Sequence, residues 1–179
     1  MIFADYISAM KELLTMDDRF SDVKLIILGS TRNPDDEALV SILREEAKNL
    51  NIAEHVLFAV NASFKDLLIN LGKSSIGLHT MWNEHFGISV VEMMAAGLTV
   101  VAHKSGGPLM DIVLPIDGNS TGYLAATAKE YAICMAEALD ASKETSMEMR
   151  QRARQSVGKF SDEFFMETCV NEIKNHWGL

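Results

Sequence analysis

Apolar residues along this chain recur in two alternating rhythms: short β-branched runs, and longer stretches in which they return every three or four positions. Residues 2–14 place Ile2, Tyr6, Met10, Leu13 and Leu14 on one helical stripe. Residues 23–28 (VKLIIL) form an apolar run ending at Gly29, the pattern of a strand buried on both faces. Asn33-Pro34-Asp35-Asp36 reads as an N-cap, a proline at the first helical position and acids in the first turn. The helix it starts carries Leu39, Ile42, Leu43, Ala47 and Leu50 on one face. Four further strands are predicted at 56–60, 75–79, 99–102 and 122–124, with Ser63 and Asp66 capping a helix between the first two. Residues 87–96 read as a helix closed by Gly97, whose missing Cβ suits the left-handed position after a helix end. Thr127 and Glu130 form a capping-box pattern before a helix to about Leu139, and 143–157 and 161–175 read as two more helices.

Strand–helix–strand alternation of this kind predicts an α/β, Rossmann-like fold, with a parallel sheet and helices on both faces. No repeat, low-complexity tract or linker divides it, so residues 1–179 are expected to form a single domain. Ligands of such folds bind beyond the carboxyl ends of the strands, here after Gly29, His79 and Ala102.

Composition narrows the function classes. The formal net charge is -9, which gives no general attraction for phosphate backbones and argues against nucleic acid as a partner. Cys134 and Cys169 both lie in helical patterns and read as reduced thiols. No apolar run approaches the roughly 20 residues needed to span a bilayer, and no signal-peptide pattern opens the chain. The chain is therefore expected to be soluble, with any membrane attachment elsewhere in a parent protein.

Polar and aromatic groups concentrate in Leu78-His79-Thr80-Met81-Trp82-Asn83-Glu84-His85-Phe86-Gly87-Ile88, which joins a strand to a helix. Gly87 lets the backbone approach a ligand. The free N–H groups of Gly87, Ile88 and Ser89 would form an anion site suited to a diphosphate. Glu84 alone reads as a solvated loop acid, and Glu92 alone as a helix-surface acid near a favourable dipole end. Glu92, set among Val90, Val91, Met93, Met94, Ala95 and Ala96, is expected to be at least partly buried, where a sugar or ribose diol could satisfy it. His79, His85 and His103 match no metal-ligand spacing and are expected to pack or hydrogen-bond structurally. Trp82 is expected to pack, with stacking on a ligand as the alternative, and Lys104 to be solvated.

Glu84 and Glu92 form a Glu-x7-Glu pattern inside EHFGISVVEMMAAGLTVVAHKSGGPLMDIV, which resembles the donor-site signature of the family-4 retaining glycosyltransferases. These have the GT-B fold, two Rossmann-like domains across a cleft, and the resemblance implies the second, donor-binding domain. With Gly77-Leu78-His79-Thr80-Met81-Trp82-Asn83 in front, it is most similar to the branch that transfers mannose from GDP-mannose, in α-1,2 linkage and with retention, to a dolichol-diphosphate-linked oligosaccharide. That branch works on the cytosolic face of the endoplasmic reticulum membrane. The resemblance implies that Glu84 holds the transferred sugar and Glu92 the ribose diol. Asn83, Phe86, Gly87, Ile88 and Ser89 would wrap the sugar and diphosphate, and Gly29 with Ser30 would border the nucleotide. Ser105-Gly106-Gly107-Pro108 would form a close-packed loop nearby. It implies no metal and no cofactor beyond the nucleotide-sugar donor, with the lipid-linked acceptor held by another domain. A non-catalytic nucleotide- or partner-binding module, or a different GT-B enzyme such as a synthase or sugar-nucleotide epimerase, stands as the alternative.

In that family the domain opens with a strand followed by a loop whose arginine and lysine neutralise the diphosphate; the first strand and its Arg-x3-Lys loop are expected to be missing here. With strand order 3-2-1-4-5-6, the edges of 23–28 and 75–79 would face an empty slot. The fragment alone is accordingly expected to be inactive, and to be weakly stable, rearranged or completed by a partner strand.

Overall fold

The structure, a computed structural model, describes residues 4–178. Helix α1 (Ala4–Met16) opens the described chain, and a 3-10 turn at Asp18–Phe20 leads to β1 (Leu25–Gly29). Then follow α2 (Pro34–Asn49), β2 (Val56–Val60), α3 (Phe64–Lys73), β3 (Ile76–His79), α4 (Ile88–Ala96), β4 (Thr99–His103) and β5 (Tyr123–Ala125). Helices α5 (Ala128–Asp140), α6 (Lys143–Ser156) and α7 (Asp162–Trp177) close the chain. Ile2, expected on the stripe of the first helix, lies outside the described residues.

The local signals act as predicted at most starts. Asn33 accepts from the Asp36 amide with Pro34 behind it, and Ser63 and Asp66 form a reciprocal capping box. At α5 the Thr127 hydroxyl accepts from the Glu130 amide, but the Glu130 carboxylate bonds the amide of Ala126 instead of closing the box. A π-helical turn at Pro108–Ile112, tucked beneath Gly87, was not expected.

All strand pairs are parallel, β1 with β2 and β4 with both β3 and β5. They form two separate sheets, β1-β2 and β3-β4-β5. Among the described residues β1 has no partner on its other edge, and neither has β3, so the sheet breaks where the doubly wound order places its central strand. One hydrophobic cluster nonetheless joins the halves. Ile7, Met10 and Leu13 of α1 pack with Leu25 and Val56 from one sheet and with Val101, Ala125 and Tyr131 from the other side.

Strand β4 is buried throughout, and its alternating side chains serve two layers. Val101 belongs to the cluster under α1, α2 and α5, whereas Val100 and Ala102 pack with Val90, Val91 and Met94 of α4 and Ala153 of α6. This is the expected two-faced architecture. Strand β1 differs from expectation: Ile26 is exposed and Ile27 and Leu28 are only half-buried. A continuous apolar run is buried on both faces only when layers cover both; Leu25 and Ile27 face the core cluster, whereas Ile26, on the opposite face, joins none.

Candidate functional site

The carboxyl ends of β3 and β4 bring two loops into contact. The β3–α4 loop carries Thr80 to Gly87, and the loop after β4 carries Lys104 to Gly107. The Glu84 carbonyl accepts from the Gly107 amide at 2.7 Å, and the Asn83 amide donates to Ser105 Oγ at 2.8 Å. Ser105 Oγ also lies 2.8 Å from His103 Nδ1. A side chain at Gly106 would run into the Glu84 carbonyl, and one at Gly107 into the carbonyls of Phe86 and His85. These glycines therefore set the spacing between the loops, as expected of the Ser105-Gly106-Gly107-Pro108 segment.

Two tyrosines pin the end of β3 from below. Tyr131 of α5, 1% exposed, donates its hydroxyl to the His79 carbonyl at 2.8 Å, and Tyr6 of α1 accepts from the Thr80 amide at 3.3 Å. Replacement of Tyr131 by phenylalanine removes the first bond with little change in volume. Urea unfolding should report a loss of about 1–1.5 kcal/mol at constant m. An unchanged midpoint would mean that the hydroxyl does not hold the strand end.

Above these supports the side chains diverge in exposure. Glu84 is 27% exposed, with Oε2 at 3.8 Å from Nε2 of His79. Asn83 is exposed and takes a positive φ of 54°, which asparagine tolerates, so backbone geometry already accounts for its identity. Phe86, 40% exposed, meets the ring of Phe160 edge-on at 5.1 Å, a contact that separation in sequence concealed. Trp82 is 66% exposed, which corrects the expectation that it packs: the loop folds towards Ser105 and Gly107 and leaves the indole outside. His79 and His103 are buried while His85 is exposed, and among the described residues no three His, Cys, Asp or Glu side chains could hold a metal together.

Helix α4 begins at Gly87, whose φ of 98° only glycine adopts readily, and no side chain caps it. Every other α-helix with a described N-cap has a side-chain cap: Asn33 on α2, Ser63 on α3, Thr127 on α5, Ser142 on α6 and Ser161 on α7. The amides of Val90 and Val91 return to the Gly87 carbonyl, so those of Ile88 and Ser89 are left for an external acceptor.

Val90, Val91 and Met94 turn one face of α4 inward; Ile88, Ser89 and Glu92 share the exposed face. The expectation that Glu92 is partly buried is thus corrected. Val90, Val91, Met93 and Met94 occupy other faces of the helix, Ala95 and Ala96 are themselves exposed, and Glu92 projects outward beside the open helix start. Gly29 and Ser30 are exposed at the end of β1, where Asn61 clasps the next residue, Oδ1 accepting from the Thr31 amide at 2.9 Å. Among the described residues no hydrogen bond links them to the Glu84 loop. The structure thus brings Glu84, Phe86, Gly87, Ile88, Ser89 and Glu92 to one end of α4 and leaves Gly29 and Ser30 on the other half-sheet. Cys134 and Cys169 are free thiols, and no helix of the described residues is long and apolar enough to cross a membrane.

Comparison with known proteins agrees with this architecture. The mouse GDP-Man:Man(3)GlcNAc(2)-PP-Dol alpha-1,2-mannosyltransferase is 50% identical over 143 residues, covering 80% of this chain and 29% of the mouse protein. The human protein of the same name is 46% identical over 152 residues, covering 85% of this chain and 31% of the human one. The chain thus spans about a third of the length of the curated relatives it matches. A solved glycosyltransferase from Rickettsia africae ESF-5 shares the fold, with a TM-score of 0.75 at 19% identity, over 96% of this chain and 43% of that one. Residues 3–156 match the family described as Glycosyl transferases group 1, and the chain belongs to that family.

Proposed function

We propose that this chain is the donor-binding part of an enzyme that transfers mannose from GDP-mannose to a dolichol-diphosphate-linked oligosaccharide, forming an α-1,2 linkage with retention. The observation that carries the reading is the uncapped start of α4, flanked by Glu84 before it and Glu92 on its exposed face. The likeness to two mannosyltransferases at 46–50% identity supports the choice of donor. In this reading Glu84 accepts hydrogen bonds from mannose hydroxyls and Glu92 from the ribose diol. The amides of Gly87, Ile88 and Ser89 meet the diphosphate, Phe86 covers the sugar, and Asn83, Gly29 and Ser30 border the nucleotide.

Chemically, the bond between mannose C1 and the diphosphate oxygen breaks as the acceptor oxygen bonds C1 on the same face, and the hydroxyl proton passes to the departing diphosphate. Charge grows on the departing diphosphate, and preorganised N–H groups lower the barrier by meeting it there. No metal takes part in this scheme. The lipid-linked acceptor is held by another domain at the cytosolic face of the endoplasmic reticulum, and this chain alone binds donor without turnover.

Calorimetric titration with GDP, UDP and ADP tests the reading. GDP should bind most tightly, and Glu92→Ala should weaken it about tenfold, the loss of one or two hydrogen bonds to a charged group. Equal indifference to all three nucleotides would sink it.

A further inference from the structure

His79 lies directly under Glu84, with a side chain 8% exposed. Its Nδ1 is the one buried side-chain nitrogen or oxygen among the described residues that has no hydrogen-bond partner. Its other nitrogen, Nε2, faces Glu84 Oε2 at 3.8 Å. The two facts favour one place for the proton. On Nδ1 it would be a buried donor without an aligned acceptor, the residue's own nearby carbonyl being engaged by the Tyr131 hydroxyl, and the Nε2 lone pair would be turned against a carboxylate oxygen. On Nε2 it points at that oxygen and leaves only a bare ring nitrogen unpaired. Burial holds the ring pKa below the usual histidine range, opposed by Glu84 and the residue's own backbone and assisted by nearby His103, which favours the neutral ring.

We propose that His79 is a positioning residue: its Nε2–H group orients the Glu84 carboxylate toward the transferred sugar. This rests on the reading of Glu84 as a sugar contact. The separation is just beyond hydrogen-bonding reach and closes by a small rotation of Glu84, since such bonds commonly tighten when ligand arrives. The His79 backbone is meanwhile fixed by Tyr131, so the ring is held on a rigid strand end.

Two measurements on the full chain test the proposal. Nitrogen-15 spectra of the histidine rings should show His79 protonated at Nε2 and bare at Nδ1, with the Nε2 resonance displaced in Glu84→Gln. The ratio of affinities for GDP-mannose and GDP should fall about tenfold in His79→Leu, as in Glu84→Ala. It should stay within about twofold of wild type in His79→Gln, whose amide nitrogen stands near the Nε2 position, and adding His79→Leu to Glu84→Ala should cost nothing more. A proton on Nδ1 overturns the proposal. So does a ratio that falls with Glu84→Ala but not with His79→Leu, or one that His79→Gln fails to rescue. If Glu84→Ala leaves the ratio unchanged, or the chain binds neither ligand, the donor reading of Glu84 is what fails. The ring spectrum then decides the Nε2–Glu84 contact by itself.

Discussion

Replacing Gly106 by alanine is expected to destabilise the chain by about 3 kcal/mol and to remove donor binding. Two costs combine at this position. The backbone is left-handed, with φ of 55°, which charges a non-glycine residue roughly 1–2 kcal/mol. The added methyl group must also displace the Glu84 and Asn83 backbone, and overpacking against atoms that cannot rotate away costs about 1–3 kcal/mol. Gly118→Ala separates the two terms: its φ is 77° but nothing lies within 4 Å, so only the backbone cost of about 1–2 kcal/mol applies. Urea midpoints of both variants, with GDP titrations alongside, provide the measurement. Equal losses in the two would show that the loops bearing Glu84 and Gly106 are not in contact.

Features that act within a few residues were legible before the fold was known. The Asn33 and Ser63 caps, the break after β1 at Gly29 and the glycine closing α4 each depend on backbone geometry that one or two side chains decide. The two-layer character of β4 was legible for the same reason, since an all-apolar strand needs cover on both faces. The site was legible as a place and only partly as an arrangement. Glu92 is exposed despite its apolar surroundings in sequence because such neighbours say little about which face a helical residue occupies; Val91 and Met93 sit on other sides of the helix. His79 was seen as one of three histidines. Only the fold shows that it is buried, aimed at Glu84 and held by Tyr131 from 52 residues away. Phe160 beside Phe86 and the π-helical turn below Gly87 gave no local signal, because packing across the end of the sheet produces both.

Amide hydrogen exchange should find Ile26, Leu28, Ile76 and Leu78 exchanging about a hundredfold or more faster than the flanking strand amides. In a parallel ladder a residue directs both backbone groups to one neighbour, and the next residue directs them to the other. The Gly29 carbonyl accepts from Asn61 and the Ser75 carbonyl from Thr99, so these residues face their paired strands. Alternation turns Ile26 and Leu28 of β1, and Ile76 and Leu78 of β3, toward the edges with no partner among the described residues. Water must then satisfy those amides, and the openings that expose them need little free energy compared with those of β4, which is buried throughout. The same open edges remove ladder bonds from the middle of the sheet and leave Ile26 exposed, so the thermal transition of the chain should fall below about 60 °C. A strand bound parallel to β1 and β3 would pair both edges at once, raise that temperature and slow all four amides together. Slow exchange at these four positions in the chain alone would show that something already pairs them, and a second copy of the chain, detected by its mass in solution, would be the first thing to look for.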